Sequence, residues 1–480
     1  MNILDKYNQR MKGPDGKKIL TSIGLTIIIL ISFFGGYFTH FAIKGKSVQV
    51  VSEVVEIMDK VGFVYDPETD TYVKLEGDKI AQLIAGNFLD GYSAYYTKEE
   101  YEKLLAENSG KYVGIGISFV SSEMQDSNAI SKVSVNSPAY NAGLLDGDRV
   151  AKIRISVLDG FEPNEYVQIS NGKQLAEFMQ TVLEGQAVDI VVDRAGQELT
   201  FNNVVKTTYY MSYVTYQDSE RFAYFSPRND FRVDDVTDAF NSIKEHQTVL
   251  GDPSLGQDTA LVTLSAFDGD AGYQIGAILE YMVQKGRTRL ILNLCGNGGG
   301  DMRVLTQVAS YLIYNQGKNN YKIVSANEKL DGDGVEKEEG YRVSNFSVDK
   351  NNFNQAITKI TVMADRNTAS ASECLIGAMI SYSDGVFSHD NLVVVGSKLS
   401  TDSEMVYRTY GKGIMQTTYR LQSGGALKLT TAKITWPDED ETCIHRVGII
   451  PTLEENKCDT FALALARASQ IASTSVVALP

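Results

Sequence analysis

Residues 260–302 read ALVTLSAFDGDAGYQIGAILEYMVQKGRTRLILNLCGNGGGDM, and this stretch decides the fold class. The segments ALVTLSAF and RLILNLC are short apolar runs typical of buried strands, whereas GYQIGAILEYMVQKG between them has the length and spacing of a helix. A glycine-rich turn, GNGGGDM, closes the stretch, and VLTQVASYLIYN predicts the next helix. Alternating strands and helices of this kind predict a mixed α/β domain with a parallel component.

The same alternation returns at residues 356–380. AITKITVMADR predicts a buried strand, and NTASASECLIGAMI, which follows, has apolar residues at the spacing of a helix face. Serine and threonine often cap helix N-termini, and Glu373 has the spacing of a capping box. The alternative interpretation is that one serine at this corner is a nucleophile whose oxyanion would face helix N–H groups. Such a serine needs a base, which the corner itself does not supply.

Composition narrows the class of protein. The chain has 480 residues, enough for two or three domains, and 43% hydrophobic residues, an ordinary globular mixture. Its formal net charge of −15 argues against a nucleic-acid partner, because such proteins need a basic surface.

Residues 19–43 contain no Asp, Glu, Lys or Arg, which predicts a single membrane-spanning helix. A cleaved signal peptide is the alternative, although no A-x-A-like cleavage site follows the segment. Residues 1–18 contain five Lys or Arg residues, so they are predicted to be a cytoplasmic tail. The expected location is therefore the cell membrane, with the bulk of the chain outside the cytoplasm.

The four cysteines are Cys295, Cys374, Cys443 and Cys458, and none has C-x-x-C spacing. Zinc-binding and thioredoxin-like sites are therefore disfavoured. A Cys443–Cys458 disulfide and free buried thiols both stay open from the sequence.

Residues 47–105 are predicted to be a helical N-terminal region, and residues 106–205 a small β-barrel with two helices. The second region resembles a PDZ domain through Gly114-Ile115-Gly116-Ile117 and the later segment SPAYNAGLLDGDRVAKI. The resemblance implies that backbone N–H groups of Gly114, Ile115, Gly116 and Ile117 take a peptide's terminal carboxylate. The following strand would then accept the peptide by β-augmentation.

The order of the motifs along the chain favours the nucleophile interpretation of the serine corner over the helix-cap interpretation. The glycine-rich turn, T-A-S-A-S-E, G-K-G-x-x-Q and ALKLTTAKI follow the PDZ-like region in the order seen in carboxy-terminal processing peptidases, which residues 75–455 resemble. The resemblance implies a peptidase domain at 206–470 with a C-terminal β-hairpin. It also implies Ser370 as the nucleophile, Lys412 as the general base and Gln416 as its support, with no metal or cofactor. A lysine base must be largely neutral, so its pKa should fall from about 10.4 toward about 7–8.

The resemblance further implies an oxyanion hole made of the Ala371 and Gly299 amides. The glycine-rich turn departs from the family pattern, because Asn293, Cys295 and Gly298 replace the family's Asp, Arg and Pro. Lys412 follows Ser370 by 42 positions, a longer gap than in the family, and the extra residues fall within SKLSTDSEMVYRTY. An added surface loop need not move either catalytic group.

Three alternatives remain beside a membrane-anchored endopeptidase that recognises protein C-termini. One is a Ser–His–Asp triad that draws on His246, His389 or His445, none of which lies in a recognisable motif. Another is an inactive relative, and the last is a non-catalytic PDZ scaffold that holds protein tails.

Residues 216–256 and 315–350 are predicted to be polar insertions or flaps, and the oligomeric state stays open.

Overall fold

The computed structural model divides the chain into two compact units, residues 1–95 and residues 96–480. The predicted cytoplasmic tail and the predicted membrane span lie outside the described residues, and no described helix is long and apolar enough to cross a bilayer. The structure describes isolated positions between 53 and 60, and then residues 62–66, 70–74, 76–119, 126–156, 165–226, 235–315, 319–328, 343–383, 385–398 and 402–474.

The predicted helical region 47–105 also contains a β-hairpin, so that prediction was only partly right. Strands β1 (Phe63–Asp66) and β2 (Thr71–Lys74) pair antiparallel, and helix α1 (Gly77–Phe88) follows them. The sequence contains hairpin signals here, namely turn residues between two segments with Tyr and Val. They were overlooked because the whole region was assigned to one class of secondary structure. Strand β3 (Ala94–Tyr96) comes next.

Helix α2 (Lys98–Asn108) begins with a capping box. The Thr97 N–H donates to Glu100 Oε2 at 2.8 Å, and the Glu100 N–H donates to Thr97 Oγ1 at 3.3 Å. Two of the helix's first N–H groups are thereby satisfied, which stabilises its start by about 1 kcal/mol.

Residues 111–210 form a β-rich module with two helices and a hydrophobic core of its own, which includes Ile115, Leu175 and Val188. The strands β7 to β10 form one antiparallel sheet in the order β10-β9-β7-β8, while β4 pairs with β11 and β5 pairs with β6. The elements in chain order are β4 (Lys111–Gly114), β5 (Ile117–Ser118), β6 (Lys132–Val133), α3 (Pro138–Ala142), β7 (Arg149–Ile155), β8 (Val167–Gln168), α4 (Gly172–Thr181), β9 (Ala187–Arg194), β10 (Gln197–Val205) and β11 (Thr207–Tyr210).

An eight-stranded sheet organises the rest of the chain, in the order β14-β13-β12-β15-β16-β19-β20-β23. Five neighbouring strands of this sheet run parallel, namely β15, β16, β19, β20 and β23. Strands β12, β13 and β14 extend the sheet antiparallel. Its elements are β12 (Val214–Gln217), β13 (Arg221–Phe225), α5 (Val236–Asn241), β14 (Ile243–Leu250), β15 (Thr259–Leu264), α6 (Ala271–Gln284), β16 (Arg289–Asn293), α7 (Met302–Leu312), β19 (Lys359–Asp365), α8 (Ala371–Tyr382), β20 (Leu392–Val395), β23 (Lys457–Cys458) and α9 (Phe461–Ser473), with short 3₁₀ turns at His389–Asn391 and Glu454–Asn456.

A second antiparallel sheet has the order β18-β17-β22-β21 and contains β17 (Tyr321–Asn327), β18 (Val343–Val348), β21 (Ile414–Arg420) and β22 (Ala426–Thr435). Strands β21 and β22 form the predicted C-terminal hairpin. The prediction that 216–256 and 315–350 are polar insertions or flaps was wrong, because these stretches supply β13 and β14 to the first sheet and β17 and β18 to the second. Strands β14 and β18 are rich in polar residues, which hides the alternation of buried and exposed side chains.

Alternating side chains of the parallel strands enter two separate hydrophobic cores. Ala260 and Val262 of β15 pack in the larger core, whereas Leu261 faces the smaller core that α9 covers with Ala464 and Ala468. Each fully buried Val, Leu or Ile contributes about 1.5–3 kcal/mol relative to an exposed one. The predicted mixed α/β fold is confirmed, and the carboxyl ends of β16 and β19 lead into the two turns described next.

Candidate active site

Ser370 occupies the corner between β19 and α8, and its backbone is in a conformation that side chains rarely adopt, with φ +58° and ψ −116°. Ser370 is buried, with 9% of its surface exposed. Thr368 and Ser372 hold the corner, because their hydroxyls donate to the carbonyls of Leu294 and Asn297 at 2.8 and 3.0 Å. A strained residue of this kind persists only where its surroundings fix it, and such residues cluster at functional sites.

The glycine-rich turn after β16 packs directly on this corner. A Cβ added at Gly299, whose φ is +99°, would lie 2.8 Å from Ser370 Cβ and 2.9 Å from the Ala371 nitrogen, so only glycine fits there. In this structure the Gly299 N–H donates to Asn297 Oδ1 at 2.9 Å. Gly299 and Ala371 thus lie side by side as the oxyanion prediction requires, but Gly299 must exchange its hydrogen bond before it can bind an oxyanion.

Glu373 joins the serine corner to the loop that carries Lys412. One carboxylate oxygen accepts the N–H groups of Ser370 and Lys412, both at 2.9 Å. The other accepts the Gly411 N–H at 2.8 Å and the Thr409 hydroxyl at 2.5 Å. Burial raises the pKa of Glu373, and these hydrogen bonds offset only part of that rise. The sequence indicated a helix cap here but gave no sign that the carboxylate also binds the 409–412 loop.

Lys412 and Gln416 line the same cavity as Ser370. Gly411 and Gly413 let the loop pass close to residues 444–448, since a Cβ at either glycine would lie 2.8 Å from a backbone nitrogen there. Strand β21 begins only at Ile414, so Lys412 lies in the loop before it, and the pairing of β21 with β22 shifts between Met415 and Gln416. Gln416 Nε2 donates to Thr430 Oγ1 at 3.2 Å.

The cavity at Ser370 has a volume of about 780 Å³, and no histidine is among its described lining residues. His389 Nε2 instead lies 3.0 Å from the Ile450 carbonyl, and His246 packs against the rings of Tyr140 and Tyr224. The three described histidines therefore give no geometric support to a Ser–His–Asp triad at this serine.

All four cysteines are free thiols, so the structure favours free thiols over a Cys443–Cys458 disulfide. Burial raises the pKa values of Cys295, Cys374 and Cys458, which keeps these thiols protonated and inert. Asn293, which replaces the family's Asp, has a structural role here. Its side chain donates to Thr263 Oγ1 at 3.2 Å and accepts the Cys295 N–H at 3.0 Å.

Asp268 lies on the wall of the same cavity, beside Gly300 and Asp301. Burial and the nearby Asp301 carboxylate raise the pKa of Asp268 from 3.8 to about 6. An acid whose pKa is raised by folding binds its proton more tightly in the folded state, so ionisation above pH 6 destabilises the protein.

We therefore expect Asp268→Asn to increase the free energy of unfolding at pH 8 by about 2 kcal/mol. The gain should shrink as the pH falls from 6 to 4, because Asp268 is then protonated in the folded state. Urea unfolding at pH 8 and pH 4 measures both values. Equal effects of the substitution at the two pH values would contradict the assigned environment of Asp268.

Residues Gly114, Ile115, Gly116 and Ile117 line a second cavity, a groove of about 480 Å³ in the β-rich module. The loop is tightly packed, since a Cβ at Gly116, whose φ is +85°, would lie 2.0 Å from Ser137 Cβ. Helix α4 supplies the facing wall with Leu175 and Met179. The groove therefore lies between the Gly114–Ile117 loop on one side and α4 on the other.

Comparisons with known proteins agree with the resemblance read from the motifs. Residues 258–455 match the profile of peptidase family S41. A probable CtpA-like serine protease of Staphylococcus epidermidis is 24% identical over 402 residues, which cover 82% of this chain and 64% of that protein. A probable CtpA-like serine protease of Staphylococcus haemolyticus is 23% identical over 453 residues, which cover 92% of this chain and 73% of that protein.

Among solved structures, the photosystem II D1 C-terminal processing protease matches with a TM-score of 0.43 and 18% identity, over 83% of this chain and 86% of that one. A putative S41 protease from Bacteroides fragilis matches with a TM-score of 0.39 and 13% identity, over 80% and 87%. The profile match covers strands β15, β16 and β19, the glycine-rich turn and the serine corner described above, and this part of the chain is therefore similar to peptidase family S41, a family of serine-type peptidases.

Proposed function

We propose that this protein is a membrane-anchored serine endopeptidase that recognises the C-termini of its protein substrates and cleaves them through an acyl-enzyme. One observation carries the proposal. Ser370 is held in a strained conformation at the wall of a cavity that Lys412, Gln416 and the glycine-rich turn also line. A non-catalytic scaffold has no need for a strained, buried serine that shares a cavity with a lysine.

The chemistry follows from the residues at the cavity. Neutral Lys412 takes the proton of the Ser370 hydroxyl as Oγ attacks the peptide carbonyl carbon. The Ala371 N–H, and the Gly299 N–H once it has exchanged its bond to Asn297, stabilise the oxyanion. Lys412 then returns the proton to the leaving amine. Water, activated by the same lysine, hydrolyses the ester.

The groove of the β-rich module supports tail recognition, because the proposed PDZ-like loop Gly114–Ile117 lines it opposite α4. Backbone N–H groups of the loop would bind the terminal carboxylate, and β5 would pair with the peptide. Apolar side chains of Leu175 and Met179 favour an apolar C-terminal residue.

Cleavage of an unfolded protein that ends in an apolar residue tests the proposal. The parent protein should degrade it, and Ser370→Ala should not, at equal folded fractions measured by circular dichroism. If Ser370→Ala folds and cleaves at the parental rate, the proposed nucleophile is wrong. If both proteins only bind the tail, the scaffold interpretation is correct.

The membrane location rests on the charge-free segment 19–43 and the five basic residues before it. We expect protease added outside intact cells to remove the bulk of the chain and to leave the N-terminal tail protected. Protection of the whole chain would contradict the proposed orientation, and lysed cells serve as the control for accessibility.

A further inference from the structure

Helix α2 lies outside the β-rich module in sequence but forms part of the groove wall. Its residue Lys103 lines the groove together with the loop Gly114–Ile117. The helix ends at Asn108, and β4, which leads into that loop, begins only three residues later at Lys111. This short connection keeps α2 beside the loop end of the groove.

The charge of the groove differs from that of the whole chain. The protein carries a net charge of −15, yet the described lining residues of the groove include two lysines, Lys103 and Lys206, and no carboxylate. Such a groove is complementary to an anionic ligand.

The two lysines are not equivalent. Lys206 Nζ donates to the carbonyls of Met179 and Val182 at 2.9 and 2.7 Å, and so it is held at the end of α4. Lys103 pairs only loosely with Glu107, at 3.8 Å and one turn along α2, and 77% of its side chain is exposed. Exposed pairs of this kind are weak, so a peptide carboxylate can take the place of Glu107.

Glu107 itself disfavours an anion in the groove. Tyr112 and Tyr209 line the groove and stack on each other with ring centroids 6.0 Å apart. Burial raises the pKa values of both phenols, and the Glu107 carboxylate adds to each rise. The Glu107 carboxylate therefore lies near the groove, and Lys103 is the groove lysine that pairs with it, at 3.8 Å.

We propose that Lys103 of helix α2 is a specificity-determining residue that selects substrates with a free C-terminal carboxylate, by attracting that carboxylate and by neutralising Glu107. The inference rests on the tail recognition in the proposed function and adds a determinant from outside the β-rich module. Backbone N–H groups of the loop fix the geometry of the carboxylate, while Lys103 supplies the charge.

Binding to the full-length Ser370→Ala protein tests this inference without depending on catalysis. The probe is a fluorescein-labelled peptide that ends in valine, as the free acid and as the amide, followed by fluorescence anisotropy. Lys103→Met should weaken binding of the acid by about fivefold and leave the amide within about twofold, the effect of one charge near a surface. Raising the salt concentration should reduce the difference.

A matched control and a rescue sharpen the test. Lys98→Met removes another lysine of α2, which pairs with Glu102 at 3.9 Å and does not line the groove, so it should not change the acid-to-amide ratio. Adding Glu107→Gln to Lys103→Met should recover about half of the lost free energy, because the opposing charge is gone.

Unchanged binding of the acid by Lys103→Met would overturn the inference. Binding of neither peptide to the parent would overturn it too, together with tail recognition. Failure of the catalytic proposal is distinguishable from both, because it is measured by acylation of Ser370 in the parent protein by a small ester, an assay that uses no tail peptide.

Discussion

Lys412→Ala is expected to fold normally and to lose about 10³-fold in kcat/KM, the loss typical of a missing general base. Lys412→Arg should be equally inactive, because a guanidinium stays protonated and cannot accept the serine proton. Gln416→Ala should lose less, since its side chain is anchored on Thr430 and contacts no reacting atom in the proposed mechanism. Steady-state cleavage of a labelled peptide measures all three.

The pH profile and a control variant separate a base from a merely structural lysine. Activity of the parent should rise with pH as the Lys412 amine loses its proton. Lys428→Ala removes another cation of the cavity wall and should stay within about tenfold of the parent. If Lys412→Ala keeps parental activity while a His389 or His445 variant loses it, the assignment of the base is wrong.

Glu373→Gln should lower the free energy of unfolding by about 3 kcal/mol and remove most of the activity. The carboxylate accepts two hydrogen bonds at each oxygen, and an amide group must present N–H₂ to one pair of donors. Because the lost contacts fix the backbone of Ser370 and Lys412, the effect should appear in kcat as well as in stability.

The matched control for Glu373 is Glu100→Gln, an exposed capping-box carboxylate at the start of α2. Its loss should cost no more than about 1 kcal/mol and should leave kcat unchanged. Urea unfolding and steady-state kinetics on the same preparations test both variants. A Glu373→Gln protein with parental stability and kcat would show that the hydrogen bonds of Glu373 to the serine corner and to the 409–412 loop are unimportant.

The sequence predicted the central part of the fold because the signals there are long and strongly periodic. The strands β15, β16 and β19 and the helices α6, α7 and α8 all lie where the apolar patterns indicated. The strands β12 to β14, β17 and β18 were missed, since they are bordered by polar segments and β14 and β18 are themselves rich in polar residues. Their pairing depends on strands far away in the chain.

The candidate site was predictable as a set of residues but not as a geometry. The order of the motifs along the chain is sufficient to assign Ser370, Lys412, Gln416 and Gly299 to one predicted site. Neither the contact of Glu373 with the 409–412 loop nor the shift in β21 pairing could be read from the sequence, because both arise between segments distant along the chain. The hydrogen bond from the Gly299 N–H to Asn297 Oδ1 likewise depends on the backbone conformation of the glycine-rich turn, which the motif does not specify.

The most direct test of the central claim is covalent labelling with a fluorophosphonate, followed by mass spectrometry of the digested protein. The account predicts one adduct on Ser370 in the parent, much slower labelling in Lys412→Ala and none in Ser370→Ala. Labelling of a different residue, or no labelling of a folded protein that binds tail peptides, would contradict the account and would favour a non-catalytic scaffold.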